Sequence, residues 1–298
     1  MNRTPVRAAR APLQLAREVL GVFKLRIGVM IMISALVGLA VTPGPAPGLG
    51  PLIVLALSVL VASASAGAFN QYIEYDSDRL MVRTRGRAFV TGALPRTRAW
   101  LALISVLLAG SVAAAWLALN AVVALFVFLG AFFYAVVYTV WLKRRTWMNI
   151  VVGGLAGSFS VLAGAAAVDP VPGALPLLLA AVLFLWTPPH FWSLAIANHA
   201  DYAAAGIPML PVVVGPARAA RTVYFSTLAL VAVSILPVFF GAGRFYLVGA
   251  LVGGLYFAHK ARALARSPSR KTAMNSFFAS LLQLGLLLAA ATVDSLIR

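Results

Sequence analysis

Apolar residues in this chain do not alternate with polar ones; they run together. Nine such runs fall at roughly 27–43, 51–69, 99–118, 120–141, 148–168, 174–194, 222–241, 244–259 and 274–293. Each is close to the length of roughly 20 residues that carries a helix across the hydrocarbon core of a bilayer. A backbone exposed to lipid has to satisfy its own hydrogen bonds, so each run is expected to be helical. The runs lack the polar faces that one large soluble core would need. The pattern therefore predicts an all-α, polytopic membrane helix bundle with nine transmembrane helices.

Composition agrees: 62% of residues are hydrophobic and 10% charged, against about a quarter charged in an ordinary soluble domain. The formal charge of +17 would suit nucleic acid, but its distribution argues for orientation instead. With the N-terminus placed in the cytoplasm and nine spans counted, 22 of the 24 Lys and Arg fall on one side, leaving Arg244 and Arg298 on the other. Arg3, Arg7, Arg10, Arg17, Lys24 and Arg26 precede the first run, and six arginines lie between the second and third. That is the positive-inside pattern, and it predicts N-in, C-out with attraction to anionic membrane lipid rather than to nucleic acid. Residues 1–26 are expected to form a basic cytoplasmic segment, and 27–298 a single transmembrane domain. The first run lacks a small-residue cleavage site, so it reads as a retained span. The chain has no cysteine, which excludes disulfides and thiolate chemistry.

Only seven residues are acidic, and three of them sit in Asn70-Gln71-Tyr72-Ile73-Glu74-Tyr75-Asp76-Ser77-Asp78. Arg79, Arg83, Arg85 and Arg87 follow directly. If the second helix continues past Asn70, positions 70, 74 and 78 share one face, since a step of four turns the helix by only about 40°. Asp76 points elsewhere. One amide and two carboxylates in line make a hard-oxygen site suited to Mg²⁺, which takes few carboxylates and shares substrate phosphate oxygens. The arginines downstream suit the phosphate charge. A solvated helix end balanced by its own arginines fits the same spacing.

A second constellation falls on the same predicted side. Trp186-Thr187-Pro188-Pro189-His190-Phe191-Trp192 ends the sixth run, and Asn198-His199-Ala200-Asp201-Tyr202 follows, then Gly206 to Pro211. Tandem prolines in a membrane helix are tolerated where it lines a cavity. Lys143-Arg144-Arg145 beside Tyr138 open on that side as well. Two acid-bearing loops and several cations suit a diphosphate with an apolar tail among the helices. Three scattered histidines offer no metal-ligand spacing, and no nucleotide-binding loop is present. A transporter or non-catalytic scaffold is the competing class, but transporters place ionisable residues near the bilayer midplane, and these acids lie at helix ends.

These segments resemble the UbiA superfamily of intramembrane prenyltransferases, and within it the heme-modifying branch. The likeness covers about residues 20–295. It is carried by Asn70 to Arg87, by Tyr138 to Thr146 with Asn149-Ile150-Val151 and Gly153-Gly154, and by Trp186 to Pro211. The resemblance implies nine helices around a central cavity in a bacterial inner membrane, with the active-site loops on the cytoplasmic side. It implies that Asn70, Glu74, Asp78 and, in the second motif, Asp201 are catalytic and bind Mg²⁺. It also implies that Arg83, Arg87, Lys143 and Arg144 hold diphosphate. Tyr72, Tyr138, His190 and Trp192 are further candidates for contact with substrate. The implied reaction moves a farnesyl group from farnesyl diphosphate to a vinyl group of heme b, with hydration, to give heme O. A quinone precursor or other aromatic acceptor is the alternative, and a terminal-oxidase assembly or heme A synthase would be the partner. The sequence departs from the pattern at four places: Tyr75 stands where a basic residue is common, Ala88-Phe89-Val90 replaces Pro-Leu-Pro, and two departures touch the acids. Glu74 stands where an Asp is usual, and Asp201 stands alone where two acids are.

Overall fold

A computed structural model describes residues 12–45 and 47–297 of the chain. Arg3, Arg7, Arg10 and Arg298, which entered the charge argument, lie outside the described residues. The described residues contain helices and turns and no strand. In order they are α1 (Pro12–Val22), α2 (Leu25–Val41), α3 (Leu49–Ile73), α4 (Tyr75–Leu80), α5 (Arg98–Ala118) and α6 (Ala121–Phe132), the last continued by a π-helical stretch, Phe133–Leu142. Then come α7 (Asn149–Gly153), α8 (Leu155–Ala166), α9 (Ala174–Ala197), α10 (His199–Ala204), α11 (Leu210–Val214), α12 (Pro216–Ile235), α13 (Arg244–Arg266) and α14 (Arg270–Ile297).

Every apolar run of the sequence coincides with a helical segment. By length and composition, however, seven helices among the described residues can cross a membrane, or eight if α1 and α2, bent by 50°, count as one span. Two segments fall short of the expected nine for separate reasons. Helix α2 alone has 17 residues, at the short limit for a span, and reaches full length only with α1. In α13 the apolar run is diluted by His259, Lys260, Arg262 and Arg266 near its end. The chain is an integral membrane protein: its spans carry many exposed large apolar side chains, among them Val106, Leu117, Phe225 and Phe278.

The long helices pack in sequence, α2 on α3, α3 on α5, α5 on α6, α6 on α8, α8 on α9, α9 on α12, α12 on α13 and α13 on α14. Helix α14 returns to touch α2 and α9, which closes the ring. Without a hydrophobic force between helices in lipid, close approach depends on small residues. At the α2–α8 crossing a Cβ on Gly38 would collide with the Val161 carbonyl, and one on Gly164 with the Ala35 carbonyl. Segment 74–97, which contains α4, and segment 198–215, which carries α10 and α11, lie at one end of the bundle. There Met81, Ile150, Ala195, Tyr202, Ile207 and Met209 form a small buried apolar cluster, with Tyr138 packed on it. That cluster brings the two acid-bearing segments together.

Candidate active site

The site begins where α3 stops. Helix α3 ends at Ile73, Glu74 forms the corner, and α4 starts at Tyr75. The helical hydrogen bonding nonetheless continues through the corner: Glu74 N–H donates to the Asn70 carbonyl at 3.0 Å, and Asp78 N–H to the Glu74 carbonyl at 2.8 Å. The four-residue register therefore survives the corner. Asn70, Glu74 and Asp78 are 2%, 3% and 0% exposed, while Asp76 faces out.

Burial of two carboxylates demands partners, and the structure supplies three cations, Arg87 from the turn just downstream and Lys24 and Lys143 from distant parts of the chain. Lys143 Nζ hydrogen-bonds Glu74 Oε1. Arg87 Nη1 meets Asp78 Oδ2 at 2.5 Å and lies 3.8 Å from Glu74 Oε2. Lys24 Nζ donates to Asn70 Oδ1 at 2.6 Å and to the Tyr134 hydroxyl at 3.0 Å. Asn70 Nδ2 in turn donates to Thr139 Oγ1 at 2.9 Å. Burial pushes the Glu74 carboxyl up, but the charge and hydrogen bond of Lys143, with Lys24 and Arg87, outweigh it and leave Glu74 below the ordinary carboxylate range. At Asp78 burial is the stronger influence, and its carboxyl sits above that range despite Arg87.

The π-helical stretch is what presents one wall of the site. Its wider winding lets Lys143 N–H bond the Tyr138 carbonyl, five residues back, at 2.9 Å. Tyr134, Thr139 and Lys143 then all point at the end of α3, where they meet Lys24, Asn70 and Glu74. Tyr134 and Tyr138 stack at 5.8 Å, and the Lys143 ammonium lies 5.5 Å from the Tyr138 ring centroid. Such π-helical segments are rare and are often found at functional sites.

Not every expected residue joins this cluster. Arg144 reaches its edge, donating to Ser77 Oγ at 3.3 Å. Asp201, half-buried on α10, accepts the backbone N–H of Arg83 at 3.1 Å, so it ties the second acidic segment to the first through main chain. Tyr72 packs edge-on against Phe89 at 6.0 Å, with the Arg96 guanidinium 4.7 Å from its ring; it faces an outer apolar cluster. His190 lies between the rings of Trp186 and Phe277, and its Nδ1 pairs with Ser280 Oγ at 2.7 Å. Trp192 is buried near Trp147, with an indole N–H that finds no partner. The contacts of His190 and Trp192 belong to the packing of α9 with α14 and with the residues before α7.

Besides Tyr134 and Thr139, two further residues of the corner were not among the expected ones. Lys24 precedes the first apolar run and reads there as one more topological cation. Gln71 sits between candidate ligands, and its amide donates to the carbonyls of Gly21 at 2.8 Å and Val22 at 3.1 Å. It thereby pins the end of α1 to α3. A cavity of about 310 Å³ opens beside this joint, and Gln14, Arg17, Gln71, Arg87 and Thr91 are among its lining residues.

The donor set suits a hard divalent cation: one amide oxygen, two carboxylates, and a buried Asp78 Oδ1 that has no hydrogen-bond partner. No third carboxylate or histidine joins them to form a three-ligand cluster among the described residues, so a metal here would need oxygens from water or a bound phosphate. A carboxylate corner ringed by cations can hold a metal–phosphate pair, and the surrounding helices can hold an apolar tail.

Residues 31–282 match the UbiA prenyltransferase family. The chain is 55% identical over 276 residues to protoheme IX farnesyltransferase 2 of Paramagnetospirillum magneticum (strain ATCC 700264 / AMB-1), covering 93% of this chain and 96% of that one. Among solved structures, the apo UbiA homolog from Aeropyrum pernix K1 superposes with a TM-score of 0.74 at 22% identity, covering 92% of this chain and 98% of that one. A UbiA homolog from Archaeoglobus fulgidus bound to DMAPP and Mg²⁺ gives 0.68 at 18% identity, covering 93% and 99%. The ring of helices, the acidic corner and these likenesses agree, and the chain belongs to the UbiA prenyltransferase family.

Proposed function

We propose that this prenyltransferase moves a farnesyl group from farnesyl diphosphate to a vinyl group of heme b, with addition of water, to form heme O. The carrying observation is the 55% identity, over almost the whole of both chains, to a relative named protoheme IX farnesyltransferase. The cytoplasmic side of a bacterial inner membrane is the proposed location, on the segregation of Lys and Arg.

In this reading the carbon–oxygen bond of the allylic diphosphate breaks and diphosphate leaves with the electron pair. The allylic carbon bonds to the outer vinyl carbon, and water completes the inner one with loss of a proton. Mg²⁺, when bound, would neutralise charge on the departing diphosphate. Asn70, Glu74 and Asp78 would hold it, and the unpartnered Oδ1 of Asp78 supports that role. Arg87, Lys143 and, from the rim, Arg83 and Arg144 bind the diphosphate oxygens and stabilise the charge that develops there. Asp201 fastens the α10 segment over the corner through Arg83 N–H. Tyr134 and Tyr138 offer ring faces beside the corner, where an allylic cation gains from π electrons. The apolar helices exclude the water that would quench it early.

The test is product analysis with purified protein in lipid, heme b, farnesyl diphosphate and Mg²⁺. Heme O is the expected product. A prenylated aromatic in its place, when a quinone precursor is offered alongside heme b, would overturn the acceptor assignment while leaving the prenyl transfer standing.

A further inference from the structure

We propose that Lys24 is a further diphosphate-binding residue, parked on Asn70 until metal and substrate arrive. The inference rests on the Mg²⁺-diphosphate reading above and adds to it a residue that the acidic motif does not contain.

Charge balance within the corner is the first argument. Lys143 answers Glu74 and Arg87 answers Asp78. Lys24 is the cation left over: the two hydrogen-bond partners of its ammonium, Asn70 Oδ1 and the Tyr134 hydroxyl, are both neutral. A buried ammonium whose hydrogen bonds go only to neutral groups, with the nearby carboxylates already paired to other cations, is costly. A methionine would fill the same space without that cost. The charge makes sense if an anion comes to meet it, because a preorganised cation stabilises leaving-group charge with little rearrangement.

Backbone geometry is the second argument. Lys24 is the only non-glycine residue with positive φ among the described residues, at φ 50° and ψ 41°. A left-handed conformation at such a residue persists where its surroundings over-determine it, and it clusters at functional sites. The surroundings here are residues of α3 itself. Gln71 holds the carbonyls of Gly21 and Val22, and Gly67 leaves room for the stem of Lys24, whose Cβ and Cδ would stand 3.4 Å from a Cβ at that position. The 50° elbow between α1 and α2 is thus clamped so that this one ammonium enters the acidic corner.

Asn70 Oδ1, the atom Lys24 occupies, is also the amide oxygen that a metal would need. The two cannot share it closely without repulsion between like charges. Loading is therefore an exchange of partners: the amide oxygen turns to the metal, and the ammonium turns to diphosphate oxygens.

The experiment uses the full chain in lipid nanodiscs, with Mn²⁺ as the metal probe, read by its free-ion electron paramagnetic resonance signal, and inorganic pyrophosphate as the anion probe. Lys24→Met should bind Mn²⁺ alone several-fold more tightly than wild type, since the competing cation is gone. The same variant should bind pyrophosphate to the Mn²⁺-loaded protein at least tenfold more weakly, and Lys24→Arg should recover most of that loss. Should Lys24→Met fail to fold, Lys24→Gln, which keeps a donor for Asn70 without the charge, carries the same expectations. Pyrophosphate affinity within twofold of wild type in the uncharged variant would overturn the assignment of Lys24 and leave the metal–diphosphate reading intact. A wild-type protein that binds neither probe would overturn both.

Discussion

The two acid-bearing segments share one end of the bundle but are built differently. The α3–α4 corner buries Glu74 and Asp78 and surrounds them with Lys24, Arg87 and Lys143, drawn from three other elements. The α10 segment offers one half-buried carboxylate, Asp201, bonded to a backbone N–H. Desolvated charges in a fixed array interact far more strongly than a carboxylate open to water. On the proposed function, the difference predicts a division of labour, with the first segment as the electrostatic centre and the second as a strap that holds the Arg83 turn in place.

The hardest blow to this contrast would come at Asp78. Asp78→Asn keeps the shape but removes the charge that answers Arg87. Turnover per folded protein should fall by at least about 100-fold, the scale of losing one preorganised electrostatic group. Heme O formation, with a thermal melt to confirm folding, is the measurement. A loss under about fivefold would move the electrostatic centre away from this corner.

Stability gives a second measure. Lys143→Met removes the hydrogen-bonded partner of the buried Glu74 carboxylate and leaves it only the longer contact with Arg87 at 3.8 Å, a loss of up to about 3–5 kcal/mol, the scale for a buried pair broken on one side. Glu74→Gln placed in the same chain removes the stranded charge and should recover much of the loss in thermal midpoint, a non-additivity expected of direct partners. If the two changes simply add, the pair is not the structural link that its geometry suggests.

Asp201 separates the two roles directly. A strap needs an acceptor for Arg83 N–H, and an amide oxygen will serve; a metal ligand needs the charge. Asp201→Asn should therefore keep most activity, whereas Asp201→Ala should lower it by roughly tenfold, about the cost of one hydrogen bond at 1.5 kcal/mol. Equal and large losses in both variants would make Asp201 a metal ligand and equalise the two segments.

Much of this contrast is legible in the sequence because local periodicity carries it. The spacing of Asn70, Glu74 and Asp78 survives even the break in the helix at Glu74, since the 70–74 and 74–78 backbone hydrogen bonds persist. What periodicity cannot reach is anything set by a turn or by a distant strand of chain. Lys24 looks like one of several basic residues before a span, and only the elbow after Val22 aims it inward. The π-helical winding of 133–142 is likewise silent in an apolar run, yet it decides that Lys143 meets Glu74. Tyr72 shows the reverse: its place in the motif suggests substrate contact, but Phe89 and Arg96 draw it to the outer cluster.

The smallest expected effect is the sharpest check on the geometry. Asp76 lies two residues from Asp78 and four residues from Tyr72, within the same acidic stretch, and composition alone cannot tell it from its neighbours. Two residues along a helix turn the side chain by about 200°, and Asp76 is accordingly exposed while Asp78 is buried. An exposed carboxylate near arginines gains little, about 0–1 kcal/mol, and salt screens it further. Asp76→Ala should thus leave turnover within about twofold of wild type, and the small effect should vanish as ionic strength rises. A loss at Asp76 as deep as that at Asp78 would mean that α4 rotates when substrate binds. In that case the corner would be remade on loading, and the buried pairings of Glu74 and Asp78 would describe its resting state alone.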